Sequence, residues 1–237
     1  MPDVGYIRPG GDASADDLAN WATQLMASLE GSGHRTRIDV SAQSPCDQVA
    51  GEAALTAPVS MLFFFGHANE DALLDSAGKP LIDDSNLSMA AGKTIVSVAC
   101  EAGLELGPKA VQAGVRAHLG WNVLLLWLAG ARDSYGQAIV QPLSLFGHGS
   151  SVSEVADELR RTLNEIAHRY RTAWRENPNA KIAYYAAAAA AGQIAVDGDR
   201  HARPLSGGVL STAAGWVRWR GPILARSTLK ALRGGRR

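Results

Sequence analysis

The sequence predicts an α/β fold, a mostly parallel sheet of about six strands with helices on both faces. Three observations carry this prediction. Two strand-length runs, Met61–Phe65 and Thr94–Ala99, are almost continuously apolar, the pattern of strands covered on both faces rather than on one. Strand-like and helix-like segments alternate as β-α-β-α-β up to the first of these runs, which is the order of a doubly wound sheet. The chain has 237 residues, 46% apolar and 19% charged, enough for one α/β domain with a sizeable core and too apolar for disorder.

Taken in order, Val4–Ile7 reads as a first short strand, ending in the turn Arg8-Pro9-Gly10-Gly11. Asp12 or Ser14 caps a helix to about Leu29, with Leu18, Trp21, Ala22, Leu25 and Leu29 on one face. Gly31-Ser32-Gly33 stops it, Arg35–Val40 alternates as a second strand, and Asp47–Leu55 is a short helix with Cys46 near its start. The third strand is Met61–Phe65, followed by a loop or hairpin over Asn69–Asp75. Asp83-Asp84-Ser85 caps a helix through Ala91, and Thr94–Ala99 is the fourth strand. Gly107-Pro108 opens a helix that Gly114 closes, and Val115–Gly120 is the fifth strand. Val123–Leu128 reads as a sixth strand or a buried turn, and Asp133–Leu145 as a helix broken near Pro142. Ser151 or Ser153 caps the longest helix, up to about Glu176. Lys181–Ala195 is an alanine-rich helix suited to close packing, and Asp197-Gly198-Asp199 reads as a turn. The expected organisation is one domain over residues 1–237.

Charge and cysteine content narrow the function. The formal net charge is zero but unevenly spread: residues 216–237 hold seven of the 23 basic residues and no acid, leaving 16 basic against 23 acidic, a net of −7, before them. A nucleic-acid surface on the body is therefore not expected. The basic C-terminal segment is a candidate docking or inhibitory tail, or a processing site, against the plainer reading of a solvated terminal helix. Two cysteines make neither a disulfide framework nor a zinc cluster and suit a reducing, cytoplasmic setting. No signal peptide and no membrane span are expected, and no metal or organic cofactor. Neither GxGxxG nor GxxxxGK[ST] occurs, which weighs against a nucleotide-binding protein.

The chemistry lies at the ends of the two apolar runs. One ends at Gly66-His67, the other at Cys100. In open α/β sheets ligands bind at the carboxyl ends of the strands, so two parallel neighbours would deliver an imidazole and a thiol to the same edge. Nucleophilic catalysis by cysteine needs that pair, because the thiolate is the attacking species and a free thiol is mostly protonated at neutral pH. Alone, a cysteine after an apolar run is usually a small buried hydrophobe. His148 reads as a loop residue and His118 as a packed one, while His34, His168 and His201 have no companion at metal-ligand spacing.

Phe65-Gly66-His67-Ala68, Val98-Ala99-Cys100-Glu101-Ala102-Gly103, Ala113-Gly114-Val115 and Leu119-Gly120-Trp121 resemble the core of the caspase-like (clan CD) cysteine peptidases, closest to the bacterial caspase-like and CHAT branch. Leu125 to Trp127 followed by Asp133, then Gly147-His148-Gly149-Ser150-Ser151-Val152, extend the similarity, which covers about residues 59–165. The resemblance implies a caspase-like three-layer sandwich and a cysteine endopeptidase with a His67–Cys100 dyad. It implies an oxyanion hole from the backbone N–H groups of Ala68 and Cys100. It further implies protein or peptide substrates, regulation by a protein partner or activator, and a processing role in a bacterial defence or cell-death pathway. Two departures stand out: Ala68 follows the histidine where the family carries glycine, and Val98 stands where caspases carry Gln and metacaspases Asp. The alternative is an inactive caspase-like scaffold that binds a partner. For the substrate side chain, Arg8 would pair an acidic residue, whereas Glu70, Asp71, Glu101 and Asp133 would select a basic one, and the larger number of acidic candidates favours basic substrates.

Overall fold

The computed structural model describes residues 2–41, 46–175 and 178–206; the basic segment 216–237 lies outside them. A six-stranded sheet runs through the centre in the order β2-β1-β3-β6-β7-β8. Its strands are β1 (Asp3–Arg8), β2 (Arg35–Ser41), β3 (Met61–Phe65), β6 (Thr94–Val98), β7 (Ala117–Trp121) and β8 (Ile194–Gly198). The first five are mutually parallel, and β8 pairs antiparallel to β7 at one edge. β4 (Leu73–Leu74) and β5 (Pro80–Ile82) form a separate small antiparallel ribbon.

Alternation along β3 and β6 divides two cores. Met61, Phe63, Phe65, Val96 and Val98 face a layer made of α1 (Ala13–Gly31), α4 (Arg132–Ser144), α5 (Val152–Ala173) and α6 (Pro178–Gly192). Leu62, Phe64, Ile95 and Ala99 face α2 (Gln48–Thr56), α3 (Leu106–Gln112) and the β4–β5 ribbon. Both faces are thus covered, which is why all five residues of each strand are buried. The result is a three-layer α/β sandwich.

The helix caps follow the sequence. Oδ1 of Asp12 accepts from the N–H groups of Ser14 and Ala15 at 2.8 and 2.9 Å and starts α1. α5 opens on a capping box between Ser151 and Glu154. Ala183, Ala187, Ala190 and Ala191 of α6 are buried, letting its backbone approach the helical layer.

Four expectations are corrected. Pro142 does not break α4, which runs through it. A proline withholds the N–H that would bond the carbonyl four residues earlier; here that carbonyl, of Ala138, accepts instead from the Thr162 hydroxyl of α5 at 2.8 Å. The helix expected after Asp83-Asp84-Ser85 shrinks to a 3-10 turn over Leu87–Ala90 with no side-chain cap, because Asn86 is buried and turned to the backbone, accepting from Asp83 N–H and donating to the Leu81 carbonyl. Val123–Leu128 is neither strand nor buried turn but an irregular segment with exposed leucines. The sixth strand is β8, whose Asp197-Gly198 reads as a turn locally but is drawn into the sheet by pairing with Ala117 and His118.

The order β2-β1-β3 makes the chain leave β1 to one side and return on the other. The carboxyl ends of β1 and β3 therefore flank a topological switch, where open α/β sheets form their ligand crevice.

Candidate active site

β3 and β6 are parallel and in register, Phe65 opposite Val98, and Gly66 N–H extends the ladder to the Val98 carbonyl at 3.4 Å. His67 and Cys100 each lie two residues beyond those paired ends, on neighbouring strands that run about 4.8 Å apart. Both fall on the alternation that faces the α1–α4–α5 layer, and Cys100 packs against that core.

His67 has a partner that its own sequence neighbourhood does not reveal. Its Nε2 lies 2.8 Å from Oδ2 of Asp12, the α1 cap at the end of the β1 turn. An ionised carboxylate only accepts, so Nε2 carries a proton in this contact, which leaves Nδ1 as the ring nitrogen that can accept one. The Ala15 N–H, and then the His67 ring, hold the Asp12 carboxyl below its ordinary range. The imidazole is 41% exposed, so the contact orients the ring more than it stabilises the fold. The visible signal for Asp12 was its capping position; its second role follows from β1 lying beside β3.

Cys100 starts a tight turn. Glu101 takes φ of 56°, a left-handed conformation uncommon outside glycine and often found at functional turns. Gly103 must be glycine, because a Cβ there would meet Asn122 Oδ1 at 2.3 Å and Ala195 Cβ at 2.7 Å. That close approach lets Gly103 N–H donate to the Trp121 carbonyl at 2.9 Å while Glu101 N–H donates to Val123 at 3.1 Å. The turn is thereby stitched to β7 and the segment after it. The Cys100 sulfur accepts from the Leu125 N–H at 3.4 Å. Burial pushes the thiol pKa up, the Leu125 N–H pulls it back, and Glu101 adds to the rise.

The remaining expected residues divide. Ala68 forms an isolated antiparallel bridge with Leu73, beside the histidine. The Glu70 carbonyl accepts from the N–H groups of Glu105 and Leu106, tying the loop after His67 to the start of α3, and its side chain is exposed. Arg8 is committed elsewhere: its guanidinium meets Asp39 through Nε at 2.8 Å and Nη2 at 2.6 Å and donates to the Thr23 hydroxyl at 2.8 Å. Asp133 is 94% exposed, with Arg132 4.0 Å away. Among the described residues no group of three His, Cys, Asp or Glu side chains is placed to hold a metal, and no helix is long and apolar enough to cross a membrane.

A second cluster lies beneath the sheet. Ser97 Oγ of β6 and His118 Nε2 of β7 are 3.0 Å apart, and His118 Nδ1 lies 3.9 Å from Asp197 Oδ2 of β8. The last separation is too long for a hydrogen bond, and neither atom has another partner among the described residues. Gly107 of α3 covers the pair, since a Cβ there would sit 2.4 Å from Asp197 Oδ2 and 2.7 Å from His118 Nδ1. Ser97 and His118 are wholly buried, so His118 is packed, as its position in the sequence predicts.

No family model matches the sequence, and no curated protein does. Among solved structures, the chain is similar to the complex of Porphyromonas gingivalis RgpB pro- and mature domains, with a TM-score of 0.50 and 12% identity over 84% of this chain and 47% of that one. It is also similar to the Arg-specific cysteine proteinase gingipain R, with a TM-score of 0.47 and 12% identity over 84% and 46%. A structure described as a protease gives a TM-score of 0.47 and 15% identity over 84% and 47%. The chain spans slightly under half the length of the proteins it matches. At this identity the likeness concerns architecture, and with the sheet order and the two covered faces it gives the conclusion that the chain has the caspase-like α/β fold.

Proposed function

We propose that this protein is a cysteine endopeptidase in which Cys100 is the nucleophile and His67 the proton carrier. The observation that supports this most is the in-register parallel pairing of β3 and β6, whose ends lead to His67 and Cys100 on one face of the sheet. The His67–Asp12 contact supports it further, because it leaves Nδ1 as the basic nitrogen.

His67 Nδ1 takes the thiol proton as the sulfur attacks the scissile carbonyl carbon. The carbonyl oxygen becomes an oxyanion facing the backbone N–H groups of Cys100 and Ala68. The imidazolium then protonates the leaving amine, the C–N bond breaks, and a thioester remains on Cys100. Water, deprotonated by His67, attacks the thioester; the acid product leaves and the thiol regains its proton. Asp12 keeps the ring in one tautomer throughout. Burial that raises the Cys100 pKa fits a route in which His67 acts as base during attack.

With Arg8 bound to Asp39, we assign recognition of a basic substrate side chain to Glu70, Glu101 and Asp133. The natural role we propose is regulated processing of protein substrates in the cytoplasm, in a bacterial defence or cell-death pathway under a protein activator, with the basic segment 216–237 as a regulatory element. The alternative reading, an inactive scaffold that binds a partner, is favoured by one feature, the alanine at position 68 in place of glycine. A library of fluorogenic peptides separates the two. The peptidase reading expects hydrolysis that disappears in Cys100→Ala and in His67→Ala. No hydrolysis by the natural chain, with or without limited proteolysis, supports the scaffold.

A further inference from the structure

The apolar run Val123–Leu128 is only partly taken up by the core: Leu125 enters it and Val123, Trp127 and Leu128 pack against it. From Asn122 to Ala131 there is no charged residue, yet Leu124 is 53% exposed and Leu126 55%, while Leu125 between them is 8% exposed. That alternation is the signature of an extended backbone with one face turned to water. Leu104, in the turn that follows Cys100, is 41% exposed as well. Seven large apolar side chains are exposed among the described residues, and these three belong to the two segments that meet at Cys100. A leucine exposed singly needs no explanation, whereas Leu124 and Leu126, two residues apart on one face of an extended segment, are adjacent apolar side chains turned to water.

The segment is also held in place. Asn122 N–H donates to the Gln193 carbonyl at 2.9 Å, the Val123 carbonyl accepts from Glu101 N–H at 3.1 Å, and Leu125 N–H donates to the Cys100 sulfur at 3.4 Å. At the far end Trp127 packs on Trp21 with ring centroids 4.8 Å apart and donates Nε1–H to Asp17 at 3.0 Å. Leu125 is the plug that enters the core. A segment fixed on both sides of Leu124 and Leu126 presents them with little conformational freedom left to lose on binding, which favours recognition.

We propose that Leu124 and Leu126, with Leu104, form an apolar subsite beside the nucleophile, and that the enzyme selects peptides carrying a bulky apolar side chain, such as Leu, Phe or Met, next to the residue at the scissile bond. This rests on the peptidase reading above and names its substrate class. Apolar contacts of this size discriminate by about ten- to two-hundredfold in kcat/KM.

The test compares two pools of fluorogenic peptides, identical except for Leu or Asn flanking the scissile residue. The natural chain is expected to cleave the Leu pool at least about tenfold faster, and the double variant Leu124→Ser/Leu126→Ser to reduce that ratio to under about twofold, with an unchanged thermal midpoint because both side chains are exposed. The same peptides are then bound to the Cys100→Ala chain and followed by fluorescence anisotropy, where the Leu pool is expected to bind more tightly. Equal cleavage and equal binding of the two pools would overturn the subsite and leave the peptidase reading standing. Tighter binding of the Leu pool with no cleavage by the natural chain would instead remove the peptidase reading and, with it, the selectivity proposed here.

Discussion

Two groups in this molecule bring a hydroxyl or thiol, an imidazole and a carboxylate to neighbouring strands or the turns after them, and they sit on opposite faces of the sheet. In one, Ser97, His118 and Asp197 follow each other across β6, β7 and β8, with 3.0 Å between the hydroxyl and the ring. In the other, Cys100 and His67 stand at adjoining strand ends, with Asp12 2.8 Å from the ring. By composition alone the first looks like the better hydrolase site. It lies mid-strand beneath α3 with Ser97 and His118 wholly buried, where no substrate carbonyl can reach. The second lies past the strand ends, at the switch between β1 and β3, with its imidazole partly in solvent. Position in the sheet, and not the residue set, decides which of the two groups is buried and which stands open to solvent.

Substitution at the two groups should have opposite consequences. Cys100→Ala should reduce peptide hydrolysis by on the order of a thousandfold or more while the chain stays folded. Ser97→Ala should leave hydrolysis within about twofold but lower unfolding stability by roughly 1–3 kcal/mol, the cost of leaving a buried ring nitrogen without its partner. Parallel kcat/KM and denaturant-unfolding measurements read both; loss of hydrolysis in Ser97→Ala would reverse the assignment.

Next is the carboxylate. Asp12→Asn keeps an N-cap of equal quality for α1 but removes the anion facing His67, so activity should fall by roughly tenfold with the unfolding midpoint little changed. Asp12→Ala should lose the same activity and, in addition, about 1 kcal/mol of stability. If both variants lose stability alone, Asp12 is only a cap.

The thiol sharpens the contrast with ordinary surface chemistry. Since burial raises the Cys100 pKa, less thiolate is present at any given pH than in a free cysteine, and alkylation by iodoacetamide should still be accelerating above about pH 8.5. A rate that levels off below pH 7 would indicate a preformed thiolate–imidazolium pair and a different order of proton transfer. The smallest effect belongs to Cys46, whose thiol is pushed up to about 11 by burial first and then by Asp75 and Asp47; Cys46→Ala should change hydrolysis by less than about twofold.

What could be read from the sequence follows the same division between local and distant causes. β3 and β6 were legible because burial on both faces leaves a near-continuous apolar run, and the places where those runs stop, at Gly66-His67 and at Cys100, were legible with them. β8 was not: Ile-Ala-Val-Asp-Gly follows an alanine-rich helix and ends in turn residues, and only its pairing with β7 makes it a strand. Val123–Leu128 misled in the opposite direction, since its leucines suggest a strand or buried turn while two of them face water. Asp12 was visible as a cap and invisible as a partner of His67, which lies 55 residues away and is brought near only by the β1–β3 pairing. Pro142 continues inside a helix because Thr162, twenty residues on, supplies the missing donor.

The central claim is that Cys100 is a nucleophile served by His67. Incubating the natural chain, His67→Ala and Cys46→Ala with a peptidyl acyloxymethyl ketone and locating the adduct by tandem mass spectrometry tests it most directly. One adduct is expected on Cys100 in the natural chain and in Cys46→Ala, and little or none in His67→Ala. An adduct on Cys46, or equal labelling of Cys100 without His67, would contradict it.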